Sequence, residues 1–328
     1  MRIVTTNELA NYKVLPFDLY AENRKKILDA GEILTPGKII MLKNHPKIYT
    51  EEIGKDDIEE QTENKNVNSK MLEFSYENLD PADFETVLNK DSCVKMDSQV
   101  KIKYFYKRIL DLMKNGFYDE SLIKLSSLVN ILRSEVYKQL QKTEKGSHIR
   151  FLGEYEICHP LNVAIISGLI AQKLEYSSPM VDQVMLAALL HDVGKLKINL
   201  IGTNPLVTMN EDEVKEHTIL GYKLIKEKFD LPDSIAKVAL EHHENNDGSG
   251  YPKGLSNDYI SEFSQIVNVA NYYDNLAFNR THTLVENNKD ALHTMLELGS
   301  KKFSARMLYS FIHMFQYDDS KGFEDMIV

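Results

Sequence analysis

The sequence predicts a mainly α protein, in which a small mixed α/β module and linking helices precede a C-terminal helical bundle. The chain of 328 residues is long enough for two domains, and with 43% hydrophobic residues it can bury a sizeable core. Apolar residues recur at helical spacing from about Asp97 onward, whereas short alternating stretches are confined to the first 60 residues. We therefore expect a module (1–60), a linker and helical region (61–148) and a C-terminal domain (149–328).

The module is expected to contain strands around one helix. Residues 14–20 alternate as a strand does, residues 27–28 follow a polar turn, and residues 47–50 predict a further strand. Thr35-Pro36 has the capping residue and the proline that begin many helices, so a helix is expected over residues 37–44. Because the module has no phosphate-binding loop and no phosphoacceptor constellation, we interpret it as a packing or dimerisation module.

The next region combines a polar linker with helices. Residues 51–70 are rich in polar and charged side chains, which predicts a loop. Apolar spacing predicts one helix from about Asp97 and a second from Asp119 to about Gln141. The lysines and arginines here fit a solvated helix face better than a nucleic-acid contact.

The C-terminal domain is expected to be all helical. Successive helices should carry His159, end at His191-Asp192, carry His217 from a start near Asn210, and run from Pro232 to His242-His243. Three more are expected from about residue 258, from 288 to 298 and from 303 to 315.

One apolar run, residues 184–190, ends directly in His191-Asp192-Val193-Gly194-Lys195. Ionisable groups at the end of a buried helix are costly unless they are paired or bound to a metal. An imidazole and a carboxylate are common ligands of first-row divalent ions. Gly194 would let the backbone turn, and Lys195 lies one helical turn beyond His191, so the two side chains can point the same way.

Further histidines accompany this motif at positions that helices can bring together. His159 and His217 flank it in the sequence, and His242-His243-Glu244 leads into Asp247-Gly248-Ser249-Gly250-Tyr251-Pro252. Metal binding in the bundle core is the best single explanation of five histidines and an aspartate in this pattern. The other histidines have no potential metal ligands near them in the sequence, and we expect them at the surface or hydrogen-bonded in the core; they are His45, His148, His282, His293 and His313.

The runs 191–195 and 242–252 resemble the signatures of the HD-GYP family, bacterial metal-dependent phosphodiesterases of the HD superfamily. The resemblance covers about residues 149–328 and implies an HD-type helical bundle. It also implies hydrolysis of the second messenger cyclic di-GMP to linear pGpG, to GMP, or to both. Cyclic di-GMP is accordingly the expected small-molecule partner, and signalling proteins are candidates to bind the Gly-Tyr-Pro loop or the module.

The resemblance further implies two divalent metal ions. The mixed imidazole and carboxylate ligands favour iron or manganese, although zinc fits the same ligands. Asp192 would bridge the two ions, His159 and His191 would hold one, and the other would be held by His217, His242 and His243. Adjacent histidines on a regular helix point about 100° apart, so the last two would need different rotamers or a distortion at the helix end. Lys195 would contact a phosphate in a catalytic role, and the other substrate-binding residues implied are Asp247, Gly250, Tyr251, Pro252 and Arg280.

Three departures from the family pattern bear on activity. The motif Ala-Asp-x-x-Asp-Ala-Leu matches residues 270–276, where Asn271 replaces the aspartate that usually binds metal, and Asp274 is an alternative source of a carboxylate. Tyr155 occupies the position at which some members carry a glutamate for a third metal, which favours two ions here. Beyond Arg280, the family's Arg-Pro-Tyr-Arg is replaced by Arg-Thr-His-Thr, so part of the expected substrate-contacting set is missing.

Two readings from different classes therefore compete. One is an active phosphodiesterase; the other is a degenerate member that binds cyclic di-GMP or a protein partner without efficient turnover. Asn271 is the residue on which the choice between these two interpretations depends, because it removes one carboxylate from an otherwise complete set of metal ligands. A third reading, an HD hydrolase of another nucleotide, is disfavoured by the second motif.

Composition limits the environment and the partners. The net charge of −10 disfavours nucleic acid polymers and anionic membranes. Two cysteines form no disulfide framework, which favours a reducing cytosol, and neither a signal peptide nor a membrane-spanning apolar stretch is recognisable. The sequence predicts a soluble cytoplasmic protein, with a homodimer as one candidate assembly.

Overall fold

A computed structural model gives the fold and describes residues 1–9, 12, 14–42, 45, 47–50, 98–141, 151, 153–198, 211–277 and 288–314. The predicted loop at 51–70 lies outside these residues, as do Arg280, His148 and His282. The protein is mainly α-helical with a small N-terminal sheet, so the predicted fold class is confirmed.

The module is a four-stranded antiparallel sheet in the order β1-β4-β2-β3. Its elements are β1 (Arg2–Val4), α1 (Thr6–Leu9), β2 (Leu19–Ala21), β3 (Lys26–Leu28), α2 (Pro36–Leu42) and β4 (Ile48–Thr50). The sheet and α2 enclose a small separate core that includes Leu9, Leu19 and Leu42.

Two of the predicted strands and the helix of the module are confirmed, but the strand predicted over residues 14–20 is wrong for most of its length. Only its end belongs to β2, and Val14 forms an isolated bridge with Ile33. Pro16 has no N–H to donate to a ladder, which is a physical reason why pairing begins after it. Elements β1 and α1, of three and four residues, were not predicted, because neither is long enough to show a period.

Helices make up most of the remaining described residues. They are α3 (Ser98–Lys114), α4 (Tyr118–Gln141), α5 (Tyr155–Lys173), α6 (Ser178–Leu190), α7 (Glu211–Lys228), α8 (Asp233–Glu241), α9 (Glu262–Ala277), α10 (Asn288–Lys302) and α11 (Ala305–Ile312). Short 3-10 helices follow α6 (Val193–Leu196) and precede α9 (Asn257–Tyr259). None of the helices in the described part of the chain has both the length and the hydropathy to cross a membrane.

A single hydrophobic core runs through the bundle and includes the two helices before residue 149. Apolar side chains of α3 and α4 belong to the same cluster as those of α5, α6 and α9. The buried Tyr106 hydroxyl of α3 donates a hydrogen bond to the carbonyl of Leu189, at the end of α6 (3.0 Å). The expected domain division at residue 149 stays a prediction, and the packing is continuous across it.

The module lies against the bundle at the turn between α7 and α8. The Thr35 hydroxyl donates to the Asp230 carboxylate (2.9 Å), and Gly37 packs so closely on this turn that a Cβ would lie 2.3 Å from the Asp230 carbonyl oxygen. This contact places α2 against a helix pair that carries histidines of the candidate site.

Candidate metal centre

Four helices bring the five predicted histidines together, at their ends or along their buried faces. His159 lies within α5 and His217 within α7, whereas His191 directly follows the last residue of α6. Helix α8 ends at Glu241, so His242 and His243 lie at its terminus. The expected geometric conflict between adjacent histidines is therefore resolved, because the two rings are no longer held on a regular helix.

Asp192 lies at the centre of the cluster. Its Oδ2 is 3.2 Å from His191 Nε2 and 3.9 Å from His159 Nε2. Its Oδ1 is 3.3 Å from His217 Nε2 and 3.7 Å from His242 Nε2. The nitrogens and oxygens thus form two groups that share Asp192, one with His159 and His191 and the other with His217, His242 and His243.

The outer ring nitrogens of four histidines contact hydrogen-bond acceptors. The distances from Nδ1 are 2.7 Å for His159 to Asp274 Oδ2, 2.7 Å for His191 to the Ala188 carbonyl, 2.5 Å for His217 to the Val214 carbonyl and 3.0 Å for His242 to the Val238 carbonyl. A carbonyl or ionised carboxylate oxygen accepts and does not donate, so each Nδ1 carries the proton. Each Nε2 consequently presents a lone pair toward Asp192, which is the tautomer that metal-binding histidines use.

Burial and charge hold these groups in the protonation states that bind metal. Burial lowers the pKa of His242 and His243 well below the ordinary value, and it also lowers that of His159, with Asp274 acting in the opposite direction. Burial by itself would raise the pKa of Asp192, but the charge of the Lys195 ammonium group beside it holds this pKa well below its usual range. The lowered pKa values of these three imidazoles and of the carboxyl group all favour the unprotonated forms that bind a metal.

Two buried atoms test whether a cation fits this arrangement. His191 Nε2 and Asp192 Oδ1 have no hydrogen-bond partner among the described residues. Buried polar atoms without partners are costly, and several lone pairs pointing at one carboxylate repel each other. A divalent ion would accept all of these lone pairs at once, so the residues fit the predicted metal ions.

Lys195 lies beside the shared carboxylate rather than apart from it. The 3-10 helix after α6 brings its ammonium group into hydrogen-bond contact with Asp192 Oδ2. The predicted phosphate contact of Lys195 stays a prediction, and its position next to Asp192 is compatible with it.

Gly194 is needed for close approach rather than for an unusual backbone angle. Its φ is not positive, unlike that of Gly116 or Gly248. A Cβ at this position would lie 1.9 Å from the His217 carbonyl oxygen and 2.6 Å from the Gly221 nitrogen. The interpretation of Gly194 as a turn residue is therefore replaced by one in which the 3-10 helix touches the backbone of α7.

We expect Gly194→Ala to destabilise the protein at the upper end of the roughly 1–3 kcal/mol typical of overpacking, because backbone atoms must move. Thermal or urea unfolding measures this. Gly116→Ala is the comparison, since its added methyl group meets nothing within 4 Å and only the φ of 83° is strained. Equal losses in the two variants would contradict the close-packing explanation.

The Gly-Tyr-Pro loop is fastened to the end of α8. The Tyr251 ring stacks on the His243 ring, with 4.6 Å between centroids and 19° between planes. Gly250 lies against the backbone of Glu244 and Asn245, where a Cβ would approach within 2.5 Å. The buried Glu244 carboxylate accepts hydrogen bonds from the backbone N–H groups of Lys253 (2.7 Å) and Leu255 (2.9 Å).

Other predicted residues of this loop have local partners. The exposed Asp247 accepts a hydrogen bond from the Ser249 N–H (2.9 Å), and Pro252 follows a cis peptide bond from Tyr251. Their contacts with a substrate, like those of Gly250 and Tyr251, stay predictions. Glu244 was not singled out from the sequence, although a glutamate directly after two candidate ligands was a signal for it.

Asn271 belongs to a chain of hydrogen bonds that sequence reasoning missed. Its Oδ1 accepts from Asn275 Nδ2 (2.8 Å), and Asn275 Oδ1 accepts from the Tyr155 hydroxyl (2.5 Å). The Tyr155 ring in turn stacks on His159, with 4.6 Å between centroids. Asn275 stands where the family motif has alanine, so its replacement was a signal in the sequence. The Asn271 oxygen thus already accepts one hydrogen bond, and its role as a metal ligand stays a prediction.

Asp274 contacts the outer side of His159, through Nδ1, and is buried. Its Oδ2 therefore lies away from the Nε2 that faces Asp192. This geometry favours a role in orienting His159 over the alternative in which Asp274 replaces the missing carboxylate ligand.

The bundle and its buried histidine–aspartate cluster define the class of protein. A model of the family described as HD domain matches residues 127–306. The chain belongs to the HD domain family, and the predicted resemblance to its HD-GYP members is confirmed.

Two curated relatives and one solved structure extend this finding. A cyclic di-GMP phosphodiesterase of Thermotoga maritima is 31% identical over 63% of this chain and 59% of its own length. A 3′3′-cGAMP-specific phosphodiesterase of Vibrio cholerae is 31% identical over 45% of this chain and 33% of its own length. The chain thus spans less than two thirds of these relatives. The structure of Bd1817, an HDG"Y"P protein from Bdellovibrio bacteriovorus, shares the fold at 20% identity, with a TM-score of 0.50 over 95% of this chain and 98% of that one.

Proposed function

We propose that the chain is a metal-dependent phosphodiesterase that hydrolyses cyclic di-GMP to pGpG, to GMP, or to both. The observation that carries this proposal is the pair of ligand groups that share Asp192. The names of the relatives support the reaction class, and cyclic di-GMP is the substrate in the name of the Thermotoga relative.

The proposed centre holds two divalent ions, iron or manganese. His159 and His191 bind one, and His217, His242 and His243 bind the other, with Asp192 between them; Asn271 is an additional candidate ligand. Two bound divalent ions would activate a water molecule and stabilise the charge that develops on the phosphodiester oxygens. Imidazole and carboxylate ligands suit both metals.

The chain's own side chains would bind and orient the cyclic dinucleotide. Lys195 can exchange its contact with Asp192 for one with a phosphate oxygen, since its ammonium group is partly accessible, with 18% of the side chain exposed. Tyr251 and the loop through Pro252 lie beside His243 and would form one wall for the substrate, with Asp247 and Arg280 as further contacts. A chain of net charge −10 needs such local positive charge to hold an anion.

A second candidate is a degenerate member that binds the ligand without efficient turnover. The specific observation in its favour is that the oxygen of Asn271 already accepts a hydrogen bond from Asn275. Under either candidate function, we also propose that signalling proteins bind the Gly-Tyr-Pro loop or the module. We further propose that the chain forms a homodimer and is located in the cytoplasm.

The test is to purify the protein without oxygen, count its metals and assay hydrolysis in the same sample. We expect about two ions per chain and release of pGpG or GMP from cyclic di-GMP. Cyclic GMP-AMP is the comparison substrate, and chelated protein is the control. Well under one metal per chain would contradict the proposed centre. Full metal content with substrate binding but no product would favour the degenerate member.

A further inference from the structure

A cavity of about 470 Å³ lies between the module and the bundle, away from the histidine cluster. It is bounded by residues of β1 and α1, by those around the start of β4, and by α4 and α6. No residue of the candidate metal centre lines it. Cavities of this size at the junction of two structural units commonly hold small ligands.

The floor of this cavity is apolar. Val4 and Ile48 contribute from the module, and Val129 and Leu186 contribute from the bundle; each is at most 3% exposed. Such a floor suits the hydrocarbon body of a ligand. The walls therefore favour an organic molecule over an inorganic ion.

Positive groups outnumber negative ones around the opening. Lys47 and Arg133 line the cavity, and the one carboxylate that does so, Asp182, is paired with Arg133 at 2.9 Å. Among the described residues, Lys47 forms one long ion pair, of 3.8 Å with Glu22, and both of these side chains are more than half exposed, so that pair is weak. Burial lowers the pKa of the neighbouring His45, which adds no charge at neutral pH. The ammonium group of Lys47 is thus left to attract an anion.

Hydrogen-bond donors reinforce this preference. Gln183 lines the cavity and is 3% exposed, and its Nε2 has no hydrogen-bond partner among the described residues. Ser178 and Pro179 place the first turn of α6, the positive end of that helix, at the same wall. A buried donor without a partner is costly, so an acceptor from a ligand would relieve it.

From the apolar floor, the charge of Lys47 and the donor of Gln183, we propose that the cavity is a binding site for a small organic monocarboxylate. The ligand places its hydrocarbon part on Val129 and Leu186 and directs its carboxylate toward Lys47 and Gln183. Helix α6, which carries Gln183, also leads to His191, which lies about 12 Å from Gln183 along the helix axis at 1.5 Å per residue. A ligand bound in the cavity would therefore contact the helix that positions His191.

The experiment uses the full chain with acetate, butyrate, hexanoate and benzoate as probes, and with butyramide and benzamide as neutral counterparts. Thermal unfolding and titration calorimetry measure binding. We expect the longer acids to raise Tm by a few degrees and to bind at least tenfold more tightly than their amides. Absence of any saturable binding, or equal binding of acids and amides, would overturn the proposal.

Three variants locate the site. Lys47→Gln should weaken hexanoate binding about tenfold, whereas Lys25→Gln, an equal charge change at an exposed position outside the cavity, should leave it unchanged. Gln183→Met should raise Tm without a probe, because the unpartnered donor is removed, and should reduce the probe-induced rise. Equal weakening by the two lysine variants, or an unaltered probe effect in Gln183→Met, would count against this location.

Discussion

Replacing Asp192 with alanine is expected to remove both metal ions together and to abolish hydrolysis. Asp192 contacts members of both ligand groups through its two oxygens, and no other carboxylate in the described residues belongs to either group. Loss of an outer partner of a ligand typically costs about 10–100-fold in metal affinity or activity, so loss of a shared ligand should cost more than that. The variant would also leave Lys195 beside neutral imidazoles, where its charge repels a cation.

Metal content after anaerobic purification measures this effect independently of activity. The companion variant is His159→Ala, which removes a member of one group only and should weaken chiefly one ion. Circular dichroism and thermal unfolding establish that both variants fold. Full metal content in Asp192→Ala would show that the bridging role is wrong, and simultaneous loss of both ions in His159→Ala would show that the two groups are not separable.

The sequence predicted the elements with a strong period and the residues that chemistry requires to be together. Helix α4 was expected near its observed bounds because its apolar spacing extends over many turns. The convergence of His159, His217 and Asp192 was predicted because burying such groups without partners is costly. Short elements such as β1 depend on pairing with β4, 44 or more positions away, and the local spacing of apolar residues does not indicate that pairing.

Other features of the site depend on contacts between distant positions. Tyr155 and Asn275 are 120 residues apart, and neither residue type by itself indicates that their side chains meet. Gly194 was interpreted from its backbone freedom, whereas its position is explained by the proximity of the His217 carbonyl. In both cases the residue was visible in the sequence, and its partner was defined only by the packing of two helices.

The hydrogen bonds around Asn271 sharpen the interpretation of that position. The Asn271 oxygen uses one of its two lone pairs to accept from Asn275, and the amide NH₂ group is a donor that binds no cation. Asn271 can therefore offer a metal ion only one neutral lone pair. Asn268 and Asp274 of the same helix contact the His242 carbonyl and the His159 ring, so this part of α9 faces the cluster. The side chain is thus on the face of α9 near the candidate centre, where it lacks the negative charge of an aspartate.

Asn271→Asp is accordingly expected to bind metal more tightly, by roughly 10–100-fold, and to hydrolyse cyclic di-GMP at least as fast as the parent. One carboxylate oxygen can keep the hydrogen bond from Asn275 Nδ2, and the second replaces the NH₂ group with an anionic ligand at nearly unchanged volume. Metal titration and turnover on both proteins measure the effect. Asn23→Asp is the matched control, because it adds the same charge in the module and keeps the acceptor for the Lys25 N–H.

Tyr155→Phe separates this explanation from simple charge addition. Loss of the Tyr155 hydroxyl frees Asn275 and lets the amide of Asn271 turn its oxygen toward the cluster, so metal affinity in this variant should rise by less than in Asn271→Asp. If Asp274 supplied the missing carboxylate instead, an aspartate at 271 would crowd two anions on α9. Unchanged metal affinity together with slower hydrolysis in Asn271→Asp would support that alternative. In that case the added carboxylate would compete with Asp274 for His159 and would not complete the ligand set.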